Sequence, residues 1–325
     1  MGGPGKPTAA ARLPDFFIVG HAKSGTTALY EMLRDHPQIY MPDMKEPWFF
    51  STDMRPRFPP PRSGPAPETL AEYLALFAAA PGDQRAGEAS SSYLWSRTAA
   101  AGIAEVAPQA RIIAILREPA SFLRSLHLQL LQTHVESEQD LGRAIALEAE
   151  RRAGRHVPRR SYRPQLLQYA DHVRYAEQLR RYEDRFPADR ILVLIYDDFR
   201  ADNEGTVRQV LRFLDVDDGA PVSVLDSNPS VLVRRQSLDD LMHAVSTGRN
   251  PAARVAKTAL KALAPRDVRH RAMALTRRRL VQGEPEAVDE EVMSDLRRRF
   301  KPEVEAVSDH LGRDLVTLWG YDRLV

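Results

Sequence analysis

Two short stretches hold residue types whose spacing suits the capture of an anion. The first is Gly20-His21-Ala22-Lys23-Ser24-Gly25-Thr26-Thr27, which joins two glycines, a lysine and three hydroxyls directly behind the apolar run Phe16-Phe17-Ile18-Val19. A chain that leaves a strand here and turns at once into a helix exposes free backbone N–H groups at the positive end of the helix dipole. A phosphate is the natural occupant of such a turn. The second is Arg117, which follows the apolar run Ile112-Ile113-Ala114-Ile115-Leu116. A guanidinium fork offers two parallel charge-assisted bonds to phosphate oxygens. Taken alone, Arg117 is equally readable as a strand-end residue paired with its neighbour Glu118.

The elements that must position these residues follow from the hydrophobic pattern. Three apolar runs, at 16–19, 112–116 and 191–196, have the unbroken character of strands buried on both faces of a parallel sheet. Residues 26–35 place Ala28, Leu29, Met32 and Leu33 on one helical face before Pro37 stops them, and Pro119 sits at the first position of a helix carrying Phe122, Leu123, Leu126 and Leu130. Strand-loop-helix units of this kind predict an α/β fold with helices on both faces of the sheet, and ligands at the carboxyl ends of its strands. Residues 69–80 read as a helix with Leu70, Tyr73, Leu74 and Phe77 inward, and 85–92 as a return to the sheet. Residues 130–186 read as a polar helical excursion with Glu148, Glu150, Arg151 and Arg152 on exposed faces. The region 237–325 reads as mainly helical, closing on Leu311, Leu315, Leu318, Trp319 and Tyr321. The proline-crowded stretch 54–67 is an expected surface loop.

The Gly20 to Gly25 spacing approaches a Walker A loop, but Thr26-Thr27 stand where Lys-Ser/Thr belong and the lysine lies ahead of the second glycine. The order Lys-Ser-Gly-Thr-Thr resembles instead the 5′-phosphosulfate loop of sulfotransferases that use 3′-phosphoadenosine 5′-phosphosulfate (PAPS) as donor. Arg117-Glu118-Pro119 with Ser125 is similar to that family's 3′-phosphate motif. Met44-Lys45-Glu46-Pro47-Trp48-Phe49-Phe50 resembles the Lys-Glu-Pro-His-Phe-Phe segment of its carbohydrate-modifying and bacterial members. The resemblance implies a P-loop-like parallel sheet, Lys23, Ser24, Gly25, Thr26 and Thr27 around the 5′-phosphate, Arg117 and Ser125 on the 3′-phosphate, and Glu46 as general base. A base is needed because an acceptor hydroxyl sheds its proton as it attacks sulfur. Lys23 would stabilise charge growing on the leaving oxygen. Trp48 replaces the commoner histidine, which puts a polar contact at that position in doubt. The plainer reading of Lys45-Glu46 is a turn ahead of a buried aromatic cluster. Gly87-Glu88-Ala89-Ser90-Ser91-Ser92-Tyr93-Leu94 is similar to a further family segment on the acceptor side, with serines where other members carry a catalytic histidine. His21 is the reserve base, or a packed strand-end residue.

The resemblance implies an in-line sulfuryl transfer to a hydroxyl of a carbohydrate, lipid or natural product, with adenosine 3′,5′-bisphosphate as product and no metal. Arg234 and Arg235 fall where the family has a further 3′-phosphate loop, without its glycine-rich pattern. A P-loop kinase and a non-catalytic anion- or nucleic-acid-binding protein are the alternatives. Composition narrows them: 46 Lys plus Arg against 44 acids gives a net charge of +2, too even to imply nucleic acid by itself. With no cysteine, disulfides, thiolate metal sites and thiol nucleophiles are excluded. The 43% hydrophobic content over 325 residues suffices for a sizeable core. Residues 1–14 read as a flexible leader without an apolar signal, and 15–325 as a single domain. Neither a signal nor a membrane span is legible, so a cytoplasmic location is expected; the oligomeric state is not legible.

Overall fold

The structure, a computed structural model, describes residues 12–54, 66–222, 232–233, 282–283 and 289–324. Five strands form one parallel sheet: β1 (Phe16–Gly20), β2 (Ile39–Tyr40), β3 (Arg85–Ala89), β4 (Arg111–Leu116) and β5 (Ile191–Ile195). Their order is β2-β3-β1-β4-β5. A two-residue antiparallel pair, β6 (Leu232–Val233) with β7 (Gln282–Gly283), stands apart from it. The α-helices among the described residues are α1 (Thr26–Arg34), α2 (Leu70–Ala75), α3 (Ala99–Val106), α4 (Pro119–Gln132), α5 (Leu141–Ala146), α6 (Glu148–Arg152), α7 (Tyr169–His172), α8 (Tyr175–Glu183), α9 (Tyr196–Ala201), α10 (Asn203–Phe213), α11 (Glu290–Leu311) and α12 (Leu315–Leu318).

Side chains alternate across the central strands, so the unbroken apolar runs feed two cores. Phe16, Ile18, Ile113 and Ile115 pack with Leu29 and Leu33 of α1 and Val207, Val210 and Leu211 of α10. Phe17, Val19, Ile112 and Ala114 face the opposite way, toward Ile103 of α3, Phe122 and Leu126 of α4, Tyr175 and Leu179 of α8 and Met293, Leu296, Phe300, Val304 and Val307 of α11. Burying each such side chain stabilises the fold by about 1.5–3 kcal/mol. Gly87 is required by one of these contacts: a Cβ there would lie 2.1 Å from the Phe16 ring.

The strand order decides where a ligand can sit. From β1 the chain passes toward β2 on one side, and from β4 it passes to β5 on the other, so the carboxyl ends of neighbouring β1 and β4 border a crevice where the winding reverses. The Gly20 loop and Arg117 lie at those two ends.

Three expectations are corrected. Leu70 is 42% exposed, because α2 begins there, whereas Tyr73 and Phe77 are buried in the core and Leu74 is half-buried against it. Leu318 also faces outward, while Trp319 and Tyr321 are buried. Glu148 and Arg151 are buried and not on exposed faces. Arg151 makes a two-pronged pair with Glu136 at 2.6 and 2.7 Å, Tyr169 Oη donates to the same carboxylate at 3.0 Å, and Arg151 also donates to the Ala144 carbonyl. Residues 55–65, most of the expected proline-rich loop, lie outside the described residues, as do Arg234, Arg235 and much of the expected helical C-terminal region.

Candidate active site

β1 ends at Gly20, and α1 starts at Thr26 behind Gly25, whose φ of 87° is left-handed and whose position offers no capping side chain. The first N–H groups of α1 therefore have no side-chain cap and stand ready for an anion. A Cβ on Gly25 would come within 2.8 Å of the Phe199 ring, so both the conformation and the close approach require glycine. Ser24 is fully buried, and Thr27 is exposed on the first turn. Lys23, at φ 60°, is half-buried and has no carboxylate partner among the described residues. Burial, then the charge of Arg117, lowers its pKa.

Arg117 does not pair with Glu118. Glu118 instead caps α4, accepting from the N–H groups of Ala120 and Ser121 at 3.1 and 2.6 Å, and receives the Tyr321 hydroxyl at 2.6 Å. Freed from it, Arg117 donates through Nη1 to the Lys23 carbonyl at 2.7 Å and through Nε to Ser121 Oγ at 3.3 Å, with its guanidinium 4.7 Å from the centre of the Tyr196 ring. The two segments expected to bind anions thus touch. Ser125 is buried one helical turn beyond Ser121, which puts both hydroxyls on the same face of α4. Ser121 was missed in the sequence, although its i+4 relation to both Arg117 and Ser125 was the available signal.

Glu46 lies on an irregular segment that hangs from the end of β3. Its N–H donates to the Ala89 carbonyl at 3.0 Å, the Trp48 N–H to Ser90 Oγ at 3.2 Å, and the Phe50 N–H to Tyr93 Oη at 3.3 Å. Phe49 stacks on Tyr73 and Phe50 meets both Tyr73 and Tyr93 edge-on, so an aromatic cluster does anchor the segment as its plainer reading expects. The carboxylate itself turns away from that cluster. Oε1 accepts from Lys45 Nζ at 2.9 Å and Ser91 Oγ at 2.8 Å, and Oε2 accepts from the Trp48 indole N–H at 3.2 Å. Trp48 therefore supplies the polar contact that the absence of histidine had put in doubt. Enclosure alone would raise the Glu46 pKa, but the Lys45 ammonium and the three donors outweigh it and hold the carboxyl below its ordinary value. Of the six non-glycine residues with positive φ among the described residues, three are Lys23, Glu46 and Trp48. Such backbone strain, of order 1–3 kcal/mol per residue, gathers at sites where geometry is imposed.

His21 is packed: its Nε2 lies 2.7 Å from Gln178 Oε1, and its ring rests against Phe122 and Tyr175. The Gln178 amide gives its protons to the carbonyls of Asp171 and His172, so its oxygen faces His21 and His21 is the donor. Burial takes the His21 pKa down to about 3, which leaves the ring neutral. Tyr93, also buried, donates to Glu88. Beyond Gln178 a cavity of about 240 Å³ is lined by Asp53, Trp95, Gln165, Arg174, Arg181 and neighbours; Lys23, Glu46 and Arg117 are not in its wall. No group of three or more His, Asp or Glu positioned for a metal occurs among the described residues, and no described helix is long and apolar enough to cross a membrane.

Comparison with known proteins gives the family. A family model described as the sulfotransferase domain matches residues 13–231. The chain is 29% identical over 107 residues, 33% of its length, to the membrane-associated sulfotransferase kil1 of Dictyostelium discoideum, covering 21% of that protein. It is 26% identical over 171 residues, 39% of its length, to carbohydrate sulfotransferase 15 of Mus musculus, covering 29% of that protein. It thus spans less than a third of the curated relatives it matches. Among solved structures, a sulfotransferase from Alicyclobacillus acidocaldarius superposes with a TM-score of 0.64 at 25% identity, over 95% of this chain and 99% of that one.

Proposed function

The chain belongs to the sulfotransferase domain family, and from that premise we propose that it transfers a sulfuryl group from PAPS to an acceptor hydroxyl, with Glu46 as general base. The observation that carries the reading is the neighbourhood of three loops. The strand order β3-β1-β4 sets the Ser91 segment that holds Glu46, the Lys23 loop and Arg117 side by side at the carboxyl edge of one sheet.

The residues present fit such a donor. The uncapped N–H groups of Thr26 and Thr27, the hydroxyls of Ser24, Thr26 and Thr27, and the close backbone approach allowed by Gly25 suit a 5′-phosphate. Arg117 and Ser125 suit a 3′-phosphate, with Arg117 oriented by its bonds to Lys23 and Ser121. When bound, the donor supplies an activated sulfuryl group. Lys23, a cation with no counter-ion among the described residues, is the residue to balance charge on the leaving phosphate oxygen. A low pKa keeps Glu46 ionised and able to accept the hydroxyl proton, and Lys45, Ser91 and Trp48 fix its direction. Positioning plus charge stabilisation carries the step, by analogy with phosphoryl transfer. The acceptor's hydroxyl class, carbohydrate, lipid or natural product, is part of the proposal, as is a cytoplasmic site of action.

The test is calorimetry with adenosine 3′,5′-bisphosphate against AMP. A preference of about 10- to 100-fold for the bisphosphate, abolished in Arg117→Ala, is expected for one charge-assisted phosphate contact. Equal affinity for the two nucleotides in the wild type would remove PAPS as donor.

A further inference from the structure

The buried arginines among the described residues come in two conditions. Arg151, at 4% exposure, has its bidentate carboxylate. Arg163, at 5% exposure, has none: no ion pair and no side-chain hydrogen bond reach its guanidinium among the described residues, and its enclosed Nε is without a partner. A buried charge left in that condition is disfavoured unless something outside the chain completes it.

What Arg163 does touch is informative. It leads the short 3₁₀ turn Pro164–Leu167, and its guanidinium lies 3.8 Å from the centre of the Trp48 ring. The same indole donates to Glu46 at 3.2 Å, so the cation stands one indole ring away from the candidate base, and the Glu46 charge acts on it. Stacking occupies only the flat face of a guanidinium and leaves its in-plane fork available for an oxyanion. Lys45 already neutralises Glu46, and Lys23 and Arg117 belong to the donor side. Arg163 is thus a cation beyond what the donor and the base require, on the far side of Trp48.

We propose that Arg163 is an acceptor-recognition residue, and that the acceptor carries an oxyanion, a carboxylate or a sulfate ester, close to the hydroxyl that Glu46 deprotonates. This rests on the sulfotransfer reading above and narrows its acceptor class to acidic molecules. The hydroxyl lies against Glu46 while the oxyanion meets the Arg163 fork at the edge of the indole.

The experiment uses the full chain saturated with adenosine 3′,5′-bisphosphate and follows binding of matched probes by calorimetry or saturation-transfer NMR. The pairs are glucuronate against glucose, glucose 6-sulfate against glucose, and 4-hydroxybenzoate against 4-hydroxybenzyl alcohol. At least a tenfold preference for the charged member of one pair is expected, lost in Arg163→Gln and partly kept in Arg163→Lys, with bisphosphate affinity unchanged in both. The carboxylate and sulfate arms identify which oxyanion is read. Arg163→Met, which keeps the apolar stem, is expected to melt at or above the wild-type temperature, because an uncompensated charge is removed. Absence of an acid preference in every pair, a preference that survives in Arg163→Gln, or a fall in melting temperature in Arg163→Met would each overturn the proposal. Failure of the wild type to bind the bisphosphate is read separately and would instead sink the donor assignment on which the proposal rests.

Discussion

Glu88 offers the most quantitative test of how the sheet supports the site. It is fully buried on β3, accepts the hydroxyls of Tyr73 and Tyr93 at Oε2, 2.9 and 3.0 Å away, and leaves Oε1 without a partner. Burial is the main reason its pKa climbs from an ordinary 4.5 to about 7, opposed by the hydroxyl donors and assisted by the nearby negative charge of Glu46. The folded state therefore holds this proton more tightly than the unfolded chain does. Below about pH 4.5 both states are protonated and the carboxyl costs nothing. Between 4.5 and 7 the unfolded chain ionises first, so stability falls as pH rises, and above 7 the loss is complete. At about 1.4 kcal/mol per tenfold change in proton affinity, the loss is about 3 kcal/mol. For a chain of 325 residues that is a shift in Tm of about 5 °C. Glu88→Gln, a neutral near-isostere, removes the titration. The difference in Tm between Glu88→Gln and wild type, measured by scanning calorimetry from pH 4 to 8.5, is expected to grow by about 5 °C in favour of the variant. The offset at pH 4 reflects how the new amide protons are accommodated, whereas the growth with pH reports the carboxyl alone. A difference that stays flat across the range would refute the reasoning, as would one that shrinks.

The remaining predictions concern catalysis and packing. Glu46→Gln and Lys23→Ala are each expected to lower turnover by about 10²-fold or more, while Glu46→Gln spares bisphosphate binding by calorimetry. Because the Glu46 pKa is held below the ordinary carboxylate value, its ionised form is present above that pKa and lost only as pH falls through it, so any acid limb this residue gives to labelled-sulfate transfer should lie at lower pH than an ordinary glutamate would give. Glu136→Gln strands Arg151 without its carboxylate and is expected to cost about 3–5 kcal/mol in urea unfolding; a cost below 1 kcal/mol would show that the pair is replaceable by solvent.

The strand-to-helix turn and the strand-end arginine proposed for the donor were legible because their chemistry restricts residue types. An anion turn between a strand and a helix needs glycine, hydroxyls and a cation in close order, and Gly20 to Thr27 and Arg117 have that order. The strands beneath were legible as apolar runs, although β2, only two residues long, carries too little pattern to register. The surroundings of Glu46 were less accessible. Lys45 and Trp48 are near neighbours in the chain, but Ser91 arrives from 45 residues away, and Arg163 comes from the helical excursion. Periodicity says which face of a helix a residue occupies and nothing about a distant carboxylate that allows a charge to be buried there. Arg151 was placed outside for that reason. Leu70 erred the other way, since a leucine at a helix start is indistinguishable by pattern from one in the core.

The bond from Arg117 to the Lys23 carbonyl has a consequence for redesign. The arginine assigned to selecting the donor's extra phosphate is also a brace for the loop that would carry the leaving-group lysine. On that assignment, substrate choice and reactivity are wired through one joint, and an engineer retargeting this scaffold to a simpler nucleotide could not delete the selector without loosening the machinery behind it. A replacement side chain would have to keep a donor on that carbonyl while giving up its grip on the ligand.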